Sequence, residues 1–115
     1  MPEADPESLV RGHYRDLDAG DYDGLASRLA PAFSHVRGDL TLEGREAFVR
    51  FMRDERPETD TTHAIDAVLV GESEVAARGR LLRADGTVWF GFVDVFSLEG
   101  GRLAELVTYS NSRVG

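Results

Sequence analysis

The sequence predicts an α+β domain with three N-terminal helices packed on one face of a curved antiparallel sheet. Three observations carry that prediction. The apolar residues recur at helical spacing through the first half of the chain. From Thr61 onward the period changes to two, with turn signals at Gly71-Glu72-Ser73, Ala84-Asp85-Gly86 and Glu99-Gly100-Gly101. The two halves are segregated rather than interleaved, which separates this pattern from a parallel α/β sheet.

Each element has its own local reason. Asp5 is a good N-cap and Pro6 suits the first helical position, so a helix opens there. Leu9, Val10, His13, Tyr14 and Leu17 form its buried stripe, and Gly20 closes it. Asp21 caps a second helix carrying Tyr22, Leu25, Ala26 and Leu29, which Pro31 stops. Ala32–Arg37 alternates Phe33, His35 and Arg37 against Ser34 and Val36, a short strand ending at a Gly38-Asp39 turn. A third helix is expected from about Gly44 to Arg56, with Phe48, Phe51 and Met52 on its apolar side. Four strands then form a meander: Thr61–Val70, Glu74–Arg83, Thr87–Leu98 and Arg102–Asn111. Ser112–Gly115 is expected to fray.

The 115 residues suffice for one domain spanning 1–115 with a single core. Cysteine is absent, which excludes disulfide, thiolate-nucleophile and Cys-zinc chemistry. The net charge is −8 and all 13 basic residues are Arg, so nucleic acid is not the expected partner. Acidic excess without lysine fits a salt-rich cytoplasm, where counterions screen self-repulsion. No apolar run approaches a membrane span and MPEADPES is unlike a signal peptide, so a cytoplasmic location is expected.

The stretch Thr87–Leu98 is apolar on both alternating faces, with one carboxylate, Asp94, set in its middle. A carboxyl there must be paired, hydrogen-bonded or protonated. A three-residue hairpin loop at Glu99–Gly101 would set Asp94 against Leu106, Phe92 against Thr108 and Phe90 against Ser110. The resulting wall is Phe90, Phe92, Asp94, Phe96, Leu106, Thr108 and Ser110, an apolar lining with a few polar groups, as small-molecule sites have. Three helices cover one sheet face only. Trp89, Val93, Val95, Val107 and Tyr109 on the other face are therefore expected to pack on a second copy as a homodimer.

The element order, with DAGDYDGL between the first helices, VRGDLTLEGREAFVRFM and the closing VDVF…GRLAEL, resembles the nuclear-transport-factor-2-like superfamily. The nearest subgroup is the SnoaL-like domains, and the resemblance runs from about Pro6 to Asn111. It implies a cone-shaped sheet whose mouth holds a ligand against the helices. The superfamily includes ketosteroid isomerase, polyketide cyclases, dehydratases and epoxide hydrolases alongside members that only bind or dimerise. By resemblance to the isomerase, Asp94 stands where its oxyanion-hole aspartate does. The tyrosine position of that hole falls on His13, with Tyr14 beside it. Arg37 stands in place of the general-base aspartate, and an arginine does not abstract protons at neutral pH.

In this fold the face carrying Phe33, His35 and Arg37 looks into the cone. His35 is then the available acid or base. Arg37 could clamp a ligand carboxylate or enolate, or could pair with Asp94. The expected ligand-binding set is His13, Tyr14, Phe33, Arg37, Phe51, Phe92, Phe96, Leu106, Thr108 and Ser110, with His35 and Asp94 as the catalytic pair. His63 reads as solvated or structural. No HxH or HxxxH spacing calls for a metal, and no cofactor is expected. Two functions remain open. One is a small-molecule site, with cofactor-free acid–base chemistry if catalytic; the other is a non-catalytic binding or dimerisation module with a structural Asp94–Arg37 pair.

Overall fold

The computed structural model describes residues 5–38 and 40–111; Asp39 of the expected turn, residues 1–4 and the segment Ser112–Gly115, expected to fray, lie outside them. Helix α1 spans Pro6–Ala19, with Asp5 accepting from the Ser8 amide and Gly20 taking the left-handed conformation at its end. Helix α2 spans Tyr22–Ser27 and is capped by Asp21. Helix α3 spans Arg45–Arg50 and continues as one wider π turn over Phe51–Glu55, to which Arg56 clamps by donating from Nε to the Met52 carbonyl. The strands are β1 (Leu29–Arg37), β2 (Leu40–Glu43), β3 (Thr62–Val70), β4 (Glu74–Leu82), β5 (Val88–Glu99) and β6 (Arg102–Ser110).

The fold is the expected α+β arrangement of three helices on a curved sheet, here in the order β2-β1-β6-β5-β4-β3. Two features go beyond the sequence reading. Strand β2 hairpins onto β1, and β1 lies parallel to β6 while every other pair is antiparallel. The second helix ends before Leu29, which pairs with Leu103 at the start of β1. Pro31 is therefore an exposed strand residue rather than a helix stop. It sits where the β1–β6 register is interrupted between Leu29 and Ser34, so its missing N–H removes no ladder bond.

The β5–β6 turn differs from the expected one. Glu99 pairs with Arg102, and Gly100 and Gly101, both at positive φ, form a two-residue turn that glycine alone adopts without strain. A bulge follows between Ser97 and Leu98. Asp94 therefore faces Thr108, Phe92 faces Ser110 and Phe96 faces Leu106. The offset is two residues on the far side of the bulge, so Phe92, Asp94, Phe96, Leu106, Thr108 and Ser110 keep their predicted face.

The core is a continuous set in which α1 packs across β3, β4 and β6 while α3 packs on β1 and β2. Leu9, Val10, Tyr14 and Leu17 meet Val75, Ala77, Phe92 and Phe96 under α1, and Phe33 packs edge-on against Phe48 under α3. No helix among the described residues is long and apolar enough to cross a membrane.

Candidate functional site

Between α1, α3 with its π turn, and the inner sheet face lies a cavity of about 530 Å³ that opens to solvent. All three histidines of the chain line it, together with Tyr14, Arg37, Phe51, Phe92, Asp94, Leu106, Thr108 and Ser110 from the expected set. Phe33 and Phe96 do not line it. Each is fully buried at the closed end, where the helices meet the sheet, and belongs to the core.

Asp94 is only 5% exposed, and both its oxygens are engaged. The Tyr14 hydroxyl donates to Oδ2 at 2.6 Å and the Thr108 hydroxyl donates to Oδ1 at 2.6 Å. His35 Nε2 lies 2.8 Å from Thr108 Oγ1. One polar chain thus runs from β1 through β6 and β5 to α1: His35, Thr108, Asp94, Tyr14. A hydroxyl that gives its proton to Asp94 must accept from its other neighbour, which places the His35 proton on Nε2 when Asp94 is ionised.

Burial pushes the Asp94 carboxyl above the ordinary aspartate range, and the Thr108 and Tyr14 hydroxyls only partly offset that rise. Burial, then the adjacent Asp94, pushes the Tyr14 phenol up, so it remains a proton donor. His13, stacked against Phe48, is lowered to about 3 by burial, with His63, His35 and Arg28 adding to the effect. It is therefore a neutral imidazole and packs as an aromatic ring.

Tyr14, not His13, is the residue of α1 that meets Asp94. The expected Asp94–Arg37 ion pair is not formed. Strand β6 lies between β1 and β5, so the two residues are separated by two strand spacings, roughly 10 Å. The Arg37 guanidinium lies instead over the Phe51 ring, 5.3 Å from its centroid, on the cavity wall.

Two residues change role in the structure. Trp89, expected on the outer face, lines the cavity. A bulge between Leu81 and Leu82 leaves Trp89 unpaired between Val88 and Phe90, so the alternation breaks there. Its ring packs edge-on against Phe90 and carries the Arg83 guanidinium 4.5 Å away. His63, read from sequence as solvated or structural, also lines the cavity. Asp18 grips it twice: Oδ1 lies 2.6 Å from His63 Nδ1, and Oδ2 accepts the His63 backbone N–H at 2.9 Å. The only sequence hint was that Asp18 follows Tyr14 by four residues, on the same helical face. Among the described residues, no group of three or more His, Asp or Glu side chains is placed to hold a metal ion.

The cone-like α+β fold, three helices on one curved sheet, defines the class. The profile of the SnoaL-like domain matches residues 10–106, and the chain belongs to that family. No curated protein matches the chain. Solved structures with similar folds include a nuclear-transport-factor-2-like protein of unknown function from Cytophaga hutchinsonii, at TM-score 0.83 and 15% identity over 96% of this chain and 94% of that one. A provisionally named polyketide cyclase from Sinorhizobium meliloti aligns at TM-score 0.78 and 17% identity over 95% of each chain. A provisionally named ketosteroid isomerase from Kribbella flavida aligns at TM-score 0.80 and 16% identity, over 94% of this chain and 78% of that one. At these identities the likeness is one of fold.

Proposed function

We propose that the chain binds a small, largely apolar molecule in this cavity and moves a proton on it without a cofactor. Isomerisation, cyclisation, dehydration and hydration are the reactions that fit. The observation that supports this reading is the Asp94 carboxyl. It stands on the wall of an apolar cavity with Tyr14 and Thr108 donating to its two oxygens. A carboxyl biased toward its acid form can donate to an oxygen that gains charge as a carbonyl enolises. Phe51, Phe90, Phe92 and Leu106 supply apolar surface around it, and His35 connects through Thr108. The cavity volume lies in the range used for drug-sized ligands. The cyclase and isomerase names of two structural neighbours belong to the same reaction class.

The test uses 2-naphthol, an apolar mimic of an enol, with binding read by calorimetry and by quenching of the single tryptophan, Trp89. Saturable binding is expected, weakened about tenfold or more in Asp94→Asn through loss of the acid hydroxyl, with the fold retained. Absence of binding to the unmodified protein would overturn the reading. Unchanged binding in Asp94→Asn, with a change only in melting temperature, would favour a purely structural carboxyl.

A further inference from the structure

The polar chain from His35 to Tyr14 supplies an acid but leaves open which group takes a proton from the ligand. Arg37 is no base, and Nδ1 of both His13 and His35 is buried. His63 is differently placed. Its Nδ1 is committed to Asp18, so in a five-membered ring Nε2 points away from that carboxylate. No described residue hydrogen-bonds Nε2, and the ring lines the cavity. It stands 5.1 Å from the Tyr14 ring and 5.8 Å from the Phe92 ring, centroid to centroid. Tyr14 therefore has Asp94 at its hydroxyl and His63 at its ring. A ligand lying along Tyr14 and Phe92 would touch the acid and the imidazole together.

A carboxylate on Nδ1 holds the ring in one tautomer, keeps the lone pair on Nε2 and stabilises the cation formed when Nε2 takes a proton. A merely structural tie between α1 and the start of β3 would be met by the backbone N–H bond to Asp18 Oδ2 alone. The second contact fixes the ring as well.

Resting on the acid–base reading above, we propose that His63, held by Asp18, is the base of the site and that its substrates are small, largely apolar ketones with an acidic C–H beside the carbonyl. His63 Nε2 takes that proton as the C–H bond breaks. The bond's electron pair forms the C=C of the enol, and the carbonyl π pair moves onto oxygen, which receives the Asp94 proton. Returning the His63 proton to carbon and the hydroxyl proton to Asp94 restores both groups, at the same carbon or at a conjugated one.

The experiment follows loss of the proton signal beside the carbonyl of 2-tetralone in deuterated buffer by NMR. The unmodified protein is expected to accelerate exchange over buffer alone. His63→Ala keeps the backbone bond to Asp18, and it should slow exchange about 100-fold, far more than it weakens 2-naphthol binding. Added imidazole should restore part of the rate, which a structural role would not allow. Should His63→Ala fold poorly, His63→Gln and Asp18→Asn carry the test, with Asp18→Asn slowing exchange about tenfold and binding 2-naphthol normally. Exchange unchanged in variants that still bind 2-naphthol would overturn the assignment. So would an unmodified protein that binds 2-naphthol but leaves 2-tetralone unexchanged. Failure to bind 2-naphthol would instead remove the underlying reading and this one with it.

Discussion

The Tyr14 hydroxyl lies 2.6 Å from Asp94 Oδ2, joining residues eighty positions apart and fixing α1 over the middle of β5. Tyr14→Phe keeps the ring, with its packing against Phe92 and Phe96, and deletes only the donor. Leaving a buried carboxyl short of a partner should cost about 1–3 kcal/mol in chemical denaturation. The Asp94 carboxyl, already raised by burial, should titrate higher still by carbon NMR, because the lost bond is one that favours its ionised form. An unchanged or lower titration would refute the contact's importance.

His13 gives the protein an acid-sensitive core. Its folded value of about 3 lies below the 6.5 of an unperturbed histidine, so the folded state excludes a proton that the unfolded chain accepts. Its contribution is complete above about pH 6.5 and is lost as pH falls toward 3, up to on the order of 5 kcal/mol. His13→Phe should flatten stability across that window while leaving neutral-pH stability within about 2 kcal/mol, as for a near-isosteric core exchange. Asp94 acts in the opposite sense. Its raised value means that its contribution is present in acid and lost as pH rises, so Asp94→Asn should gain on the unmodified protein toward neutrality.

Gly79 tests the packing behind the cavity wall. A Cβ there would lie 2.5 Å from the Ala64 carbonyl oxygen and 3.1 Å from the Phe92 ring. The oxygen is backbone in the adjacent strand β3 and does not swing away as a flexible side chain would. Gly79→Ala should therefore cost about 1–3 kcal/mol. That corresponds to a melting temperature lower by roughly 4–8 °C per kcal/mol. Displacement of Phe92 should also weaken 2-naphthol binding; a melting temperature equal to the unmodified protein's would contradict the contact.

On the outer sheet face Val93 and Tyr109 are directly paired, 37% and 62% exposed, with Val95 and Val107 beside them. We propose that this patch, without Trp89, packs on a second copy of the chain. Light scattering should give twice the 12.7 kDa chain mass, and Val93→Arg should give the single-chain mass with the fold intact. A monomer at tens of micromolar would rule this out.

How much of the site the sequence made legible follows from where each constraint lives along the chain. Asp5 and Pro6 marked the start of the first helix, Gly20 its end and Asp21 the start of the second, because capping is settled within a few residues. The inward face of Phe92, Asp94, Leu106, Thr108 and Ser110 was readable because alternation in a strand is local. It survived a register two residues from the one expected, since an even offset preserves the face. The pairing itself depended on the Gly100-Gly101 turn and the bulge beside it, whose geometry the Glu-Gly-Gly pattern does not specify.

Contacts between distant elements were decided only when α1 settled across the sheet. That placement chose Tyr14 rather than His13 for Asp94, brought Asp18 to His63, and put β6 between Arg37 and Asp94. It also left Phe33 and Phe96 in the core while the β5 bulge turned Trp89 inward. The sequence by itself determined the fold class, the caps of the first two helices and the inward face of Phe92, Asp94, Leu106, Thr108 and Ser110, because periodicity and capping are properties of neighbouring residues. Tertiary structure alone decided which acid meets which donor, because those choices depend on strand order and helix placement, which span most of the chain.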